Sequence, residues 1–216
     1  MLLRKNCTVW IAGRSESGFE EAKKQLSSRH DIGENLEGRL HFHKLDLSEM
    51  KHSEESAHDF ARQHPDRLDI LMCNAGVSLQ RSDQLSSDGY ELTFQTNHLG
   101  HFAFVMALLP LLEKTAKEHG DTRVVMTSSD AHAFAKTGID FDALQKTTPH
   151  RGARGLGEAM TRYGTSKLGN MLFARELDKR WAAPLRAQGV QVTVDCAHPG
   201  MSRLVSASPV IDLVKV

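Results

Sequence analysis

The chain reads as an α/β protein: a Rossmann-like, doubly wound parallel sheet in a single domain. Three observations predict this. Short β-rich runs alternate with helical stretches along most of the length. The strands are nearly continuous in apolar residues, as strands covered on both faces must be. The 216 residues, 40% of them hydrophobic, suffice for one buried core and are few for two.

The first strand, 8–12, contains Thr8, Val9, Trp10 and Ile11, residues suited to a pleated, half-buried surface. It ends in Gly13-Arg14-Ser15-Glu16-Ser17-Gly18, which has the outline of a phosphate loop. Phe19-Glu20 stand where such a loop carries Lys and Ser or Thr, and the spacing fails G-x-G-x-x-G, so that function is not assigned here. Further strands are expected over 40–45, 68–73, 123–127 and 190–196. Helix formers fill 19–28, 49–63, 89–117 and 158–181. The one long irregular stretch, 130–157, has turn chemistry at Thr147-Thr148-Pro149-His150-Arg151-Gly152 and at Gly155 and Gly157. Loops of that length in a compact domain are usually functional, and this one leaves the carboxyl end of a strand, so it is a candidate substrate lid.

Composition excludes several partners. Lys+Arg and Asp+Glu each total 27, so nothing in the charge balance points to nucleic acid or an acidic membrane surface. No apolar run reaches the length of a membrane span, and no apolar segment follows Arg4 and Lys5 as in a secretion signal. Cys7, Cys73 and Cys196 each lie in or at the end of an apolar run, which predicts buried, reduced thiols and a cytoplasmic setting. The 12 histidines include His41 and His43 on a strand, without carboxylate or Cys at ligand spacing, so no metal is expected.

Four features could carry chemistry. Asn74-Ala75-Gly76 closes a strand with small residues that let a ligand approach the backbone, although a plain turn would look the same. Asn97 lies in an otherwise apolar helix, where its amide must either tie down backbone or hold a water. Ser128-Ser129 ends another strand, as substrate-orienting hydroxyls and routine caps both do. Tyr163 and Lys167, four apart, share a helix face, so the ammonium is expected to lower the phenol's pKa and make it a general acid/base.

In conjunction these residues resemble the short-chain dehydrogenase/reductase family over essentially the whole chain. The order is Asn74-Ala75-Gly76, Asn97, Ser129, Tyr163, Lys167, then His198-Pro199-Gly200. Ser128-Ser129-Asp130-Ala131-His132 and Tyr163-Gly164-Thr165-Ser166-Lys167-Leu168-Gly169-Asn170 look most like its retinol-dehydrogenase-like and WW-domain-oxidoreductase-like branch. The resemblance implies that Tyr163 exchanges a proton with the substrate oxygen while Ser129 hydrogen-bonds it. Ser128 is then backbone support, Lys167 holds the nicotinamide ribose, and Asn97 supports a water next to Lys167. It also implies that Asp46 and Leu47 meet the adenine, that Asn74 and Gly76 pass the adenosine ribose and pyrophosphate, and that Pro199 and Gly200 lie against the nicotinamide. Arg14, at the end of its strand, stands where such folds read the adenosine ribose, and an Arg there suits a 2′-phosphate, which makes NADP (NADPH) the expected cofactor. The implied substrate is an apolar alcohol or carbonyl compound, such as a retinoid, a steroid or an intermediate of secondary metabolism, and the long helices allow a homodimer.

Measured against the family pattern, the first strand, its glycine loop and the C-terminal end have no counterpart, so the fold is expected to be incomplete at both ends. A sheet without its first strand should leave unpaired edges at its centre. Two readings follow: an oxidoreductase, or a truncated, catalytically inactive interaction or regulatory protein built on the same fold.

Overall fold

A computed structural model describes residues 2–28, 36, 38–78, 84–146, 154–200 and 211–215, the last as a backbone path. Part of the expected lid, 147–153, lies outside these residues. After a 3-10 turn, Leu2–Lys5, come strand β1 (Thr8–Gly13), helix α1 (Glu16–Ser27), β2 (Leu40–Lys44), α2 (Met50–Gln63) and β3 (Ile70–Cys73). Helix α3 (Leu92–His119), β4 (Thr122–Thr127), α4 (Arg154–Leu177), a short α5 (Ala183–Ala187), β5 (Val192–Ala197) and β6 (Ile211–Lys215) complete it.

The sheet order is β2-β1-β6-β3-β4-β5. β1 and β2 run parallel, as do β3, β4 and β5, which is the doubly wound arrangement expected. The expectation of unpaired edges at the centre is corrected. β6 lies antiparallel between β1 and β3, with Leu213 opposite both Trp10 and Leu71, so both edges find ladder partners. The cause is the cost of leaving backbone donors and acceptors unpaired inside a sheet. The signal was present in Ile211-Asp212-Leu213-Val214-Lys215, a β-favouring run.

Each helix has a local cause. Ser15 caps α1, its Oγ accepting from the Gly18 amide at 3.0 Å. The Asp88 carboxylate accepts from the Met50 amide at 2.7 Å and closes the start of α2 from a distant loop. Glu91 caps α3 by accepting from the Phe94 amide at 2.8 Å. Next comes a π-turn, Gln95–Leu99, one residue wider than an α-turn. Pro110 lies inside α3 on its exposed side, where a proline has no amide to give the carbonyl of exposed Met106, four residues earlier.

The core lies between the sheet and helices α2, α3 and α4. Phe60, Leu71, Phe104, Leu108, Leu112 and Met126 are at most 1% exposed. Each such side chain contributes about 1.5–3 kcal/mol of burial. The Leu92–His119 helix has the length and mean hydropathy, 1.3, to cross a membrane, yet half of that stretch is buried inside the fold. It serves here as a core helix. Cys7 and Cys73 are buried as expected, whereas Cys196 is exposed, because β5 ends at the open edge of the sheet.

Gly100 sets how closely α3 approaches the turn after β2: a Cβ there would overlap the Leu47 carbonyl oxygen and lie 2.8 Å from the Leu47 Cβ. Gly100→Ala is therefore expected to lose about 1–3 kcal/mol of stability by overpacking. Chemical denaturation of the two proteins measures this.

Candidate active site at the carboxyl edge of the sheet

Strands β3, β4 and β5 end on the same edge, where Asn74, Ser129 and the segment from Cys196 to Gly200 come to the surface. Helix α4 crosses behind this edge. Its close approach depends on Gly164, where a Cβ would overlap the Ala131 carbonyl oxygen in the turn after Ser129. It also depends on Gly169, where a Cβ would lie 3.0 Å from the His98 ring.

The two serines have different surroundings. Ser128 is buried and donates to the Lys167 carbonyl at 3.0 Å, fixing α4 to the end of β4. Ser129 lies by the Tyr163 phenol and acts to favour its ionised form. The Ser129 hydroxyl also lies 3.1 Å from the Asp130 carboxylate and accepts from the Ala131 amide at 3.2 Å.

The expected lowering of the Tyr163 pKa does not occur in this arrangement. Burial pushes the phenol up and the Asp130 charge adds to the rise, while the neighbouring Ser129 hydroxyl works against both. The reason is where the lysine points. Lys167 Nζ sits 5.5 Å from the Tyr163 ring centroid, over the face of the ring, and donates to the Thr127 carbonyl at 3.0 Å. Lys167 itself is 3% exposed, and burial depresses its pKa to about 8 against a smaller upward pull from Cys196.

Asn97 is fully buried. Its Nδ2 donates to the Val77 carbonyl at 2.9 Å and to the Ser166 hydroxyl at 3.0 Å, and its Oδ1 accepts from the Val77 amide at 2.7 Å. The amide is thus committed to the Val77 backbone and to Ser166. Gly76 leaves room for it, since a Cβ there would lie 2.9 Å from Asn97 Oδ1. Asn74 is exposed, its Oδ1 accepting from Thr127 Oγ1 at 3.2 Å. Pro199 and Gly200 are exposed beyond β5, with Gly200 at φ +80°, a conformation open to glycine at little cost.

A second cluster lies beyond β6, at the ends of β1 and β2. Arg14 is exposed and its backbone carbonyl accepts from Lys44 Nζ at 2.6 Å, which brings the Lys44 ammonium to the Arg14 backbone. Asp46 adjoins them. Burial works to raise its pKa, but hydrogen bonds from the Ser48 amide (3.0 Å) and hydroxyl (2.7 Å), with the Arg14 charge, outweigh it and hold the carboxyl below its usual range. Leu47 is a core side chain, 5% exposed, so only its backbone could face an adenine.

Sequence reasoning passed over Lys44, His98, His101 and Asn170. Asn170 lies three residues after Lys167 on one helix face, which was the available signal. The others depend on strand and helix pairings that the order of residues does not announce.

A doubly wound sheet with a serine turn, a Tyr and a buried Lys converging at its carboxyl edge defines a Rossmann-like protein of the dehydrogenase class. Residues 1–139 match the family model described as short chain dehydrogenase, and the chain belongs to that family. It is 34% identical to the short chain dehydrogenase/reductase dpchH of Colletotrichum higginsianum, covering 99% of this chain and 52% of that protein. Human retinol dehydrogenase 14 is 32% identical, covering 94% and 56%, and the retinol-dehydrogenase-like branch is the one the chain falls in. The chain spans about half the length of the curated relatives it matches. Among solved structures, an uncharacterised protein of Mycobacterium paratuberculosis superposes with a TM-score of 0.61 at 30% identity, covering 90% of this chain and 59% of that one. The NADP complex of Pseudomonas aeruginosa RhlG superposes with a TM-score of 0.63 at 24% identity, covering 94% and 66%, and shows the fold alone.

The lowered pKa of Lys167 has a sign that can be tested. Between pH 8 and about 10.4, the ordinary lysine value, the unfolded chain binds more protons than the folded one, so stability from this group rises with pH across that window. Lys167→Met is expected to melt higher than wild type at pH 7, with the difference shrinking by pH 10. Paired thermal melts across that range measure it.

Proposed function

We propose that this protein is an NADP-dependent oxidoreductase that interconverts an alcohol and a carbonyl on an apolar small molecule: a retinoid, a steroid or a natural-product intermediate. The observation that carries the reading is the buried Lys167, its Nζ 5.5 Å from the centroid of the Tyr163 ring, with Ser129 beside the phenol at the sheet edge. A bound nicotinamide supplies or accepts the hydride. In the reductive direction Tyr163 gives its proton to the substrate oxygen, and in the oxidative direction it takes that proton back. A phenol held above its ordinary pKa stays protonated at neutral pH, the state that donates. Ser129 hydrogen-bonds the same oxygen and orients it. Lys167, released from the Thr127 carbonyl, holds the ribose hydroxyls and lowers the phenol when oxidation calls for a base.

The residues suit the two ends of the cofactor. Tyr163, Lys167, Pro199 and Gly200 would hold the nicotinamide end, with Asn74 and Gly76 beside the adenosine ribose and the Asp46-Leu47 backbone near the adenine. Arg14, with Lys44 Nζ at its backbone carbonyl, suits a 2′-phosphate, because cations gain more from a dianion than from a hydroxyl. Phe134, Phe141 and Leu156, which are 51–69% exposed on and beside the lid, favour an apolar substrate. Exposed Phe102, Met106, Met171 and Leu172 on α3 and α4 support a homodimer. Free cysteines fit a reducing compartment such as the cytoplasm.

One observation favours the second reading, an inactive interaction or regulatory protein. β6 stands at the topological switch point and runs antiparallel. A pyrophosphate is ordinarily held where a parallel strand turns through glycines into a helix N-terminus. Among the described residues no such unit stands at this point.

Tyr163→Phe is expected to cut turnover of a carbonyl panel with NADPH by at least about a hundredfold while NADPH still binds. Equal turnover by both proteins would overturn the mechanism, and absence of saturable NADPH binding to the wild-type chain would support the second reading. Arg14→Ala is expected to weaken NADPH about tenfold, the loss of one charge-assisted contact, and to leave NADH nearly unchanged. Fluorescence titration with both nucleotides separates the cases.

A further inference from the structure

The Thr127 carbonyl, at the end of β4, accepts two hydrogen bonds from α4. Lys167 Nζ reaches it at 3.0 Å and Asn170 Nδ2 also at 3.0 Å, so both lone pairs of one buried oxygen are used. Asn170 is 1% exposed. Its other amide atom, Oδ1, lies 3.0 Å from His98 Nδ1, which fixes the amide orientation: the oxygen takes the imidazole proton and the nitrogen is left to face Thr127. Burial lowers the pKa of His98, with the Asn170 hydrogen bond working the other way, so the ring is neutral and carries one proton. Gly169 provides the space in which the ring sits, and the rings of Phe94 and Phe173 flank it, with centroids at 5.0 and 6.2 Å.

We propose that Asn170 is a positioning residue for Lys167: it keeps the Thr127 carbonyl satisfied on its own, so the lysine can leave that carbonyl for a hydroxyl-bearing ligand without stranding a buried acceptor. His98 holds the amide in the orientation this requires. The proposal rests on the reading of Lys167 as the holder of the nicotinamide ribose. The physical reason is the asymmetry of buried hydrogen bonds, in which an unmade bond costs far more than a made bond gains. With a single donor the carbonyl would keep the ammonium, and with two it can release one. The other ionisable groups around Lys167 are His101, whose pKa is lowered to about 4 chiefly by burial, Cys196 on β5 and Tyr163 on α4. None of them donates to the Thr127 carbonyl, so none can replace Asn170 there.

The test compares wild type with Asn170→Leu, which keeps the side chain's size but removes its donor, and with His98→Phe, which keeps a ring but frees the amide to rotate. In Asn170→Leu the KM for NADPH is expected to rise about tenfold, more than kcat falls, equivalent to about 1.4 kcal/mol of binding. His98→Phe should move the same way by less. Independently of cofactor and turnover, nitrogen-15 NMR of the lysine side chains should show Lys167 titrating at higher pH in Asn170→Leu, because the carbonyl then belongs to it alone. An unchanged lysine titration overturns the proposal, as does a parallel loss of kcat, NADPH affinity and melting temperature, which marks a purely structural amide. If the wild-type chain binds no NADPH, the reading of function fails while the lysine titration still decides the positioning role.

Discussion

The buried amide of Asn97 joins three pieces of chain that the sequence keeps far apart. It satisfies both backbone groups of Val77 beyond β3, it rises from the π-turn of α3, and it donates to Ser166 on α4, whose hydroxyl in turn donates to the Tyr163 carbonyl at 2.7 Å. Leaving any one of these buried groups unpaired would cost about 1–3 kcal/mol. The clamp therefore ties the turn of α4 that bears Tyr163 to the end of β3. The glycines at 76, 100, 164 and 169 serve the same end, since each removes a Cβ where backbone or side chain closes in.

That tight placement shapes the electrostatics. Among the described residues Lys167 has no carboxylate partner; it is buried in contact with a carbonyl oxygen and an aromatic face. A cation held only by neutral groups is depressed in pKa and is available to a ligand that offers better contacts. At the far end of the same edge Arg14 and Lys44 are exposed and paired through backbone, with Asp46 moderating their charge. The two ends are separated by β6, the strand that decides how the middle of the sheet is completed.

Much of this was legible in the residues. All five parallel strands fall within two residues of where apolar runs and β-branched residues place them, and the four long helices are where helix formers cluster. The helix carrying Tyr163 begins at Arg154, four residues before the expected start, because helix formation continues back through Gly155 and Gly157 despite their propensity. That Ser128 is buried on the Lys167 carbonyl while Ser129 reaches the surface was not legible in two adjacent, identical residues. The π-turn at 95–99 was not legible, since an inserted residue leaves the apolar pattern of a helix nearly unchanged. Cys196 looked like a core thiol because it ends an apolar run, yet the run ends at an open edge.

The sequence by itself determined the strand and helix alternation, the family, and the set of side chains able to do chemistry, because periodicity and residue type are local properties of the chain. Only the tertiary structure decided how those side chains face one another. It placed Lys167 on the Thr127 carbonyl and over the Tyr163 ring, committed Asn97 to backbone, and set β6 antiparallel in the centre of the sheet. These outcomes depend on hydrogen bonds between residues 20 to 70 positions apart, such as Val77 with Asn97 and Asn97 with Ser166. Such a partnership is chosen by whichever arrangement leaves the fewest buried polar groups unpaired, and that sum can be taken only over the folded whole.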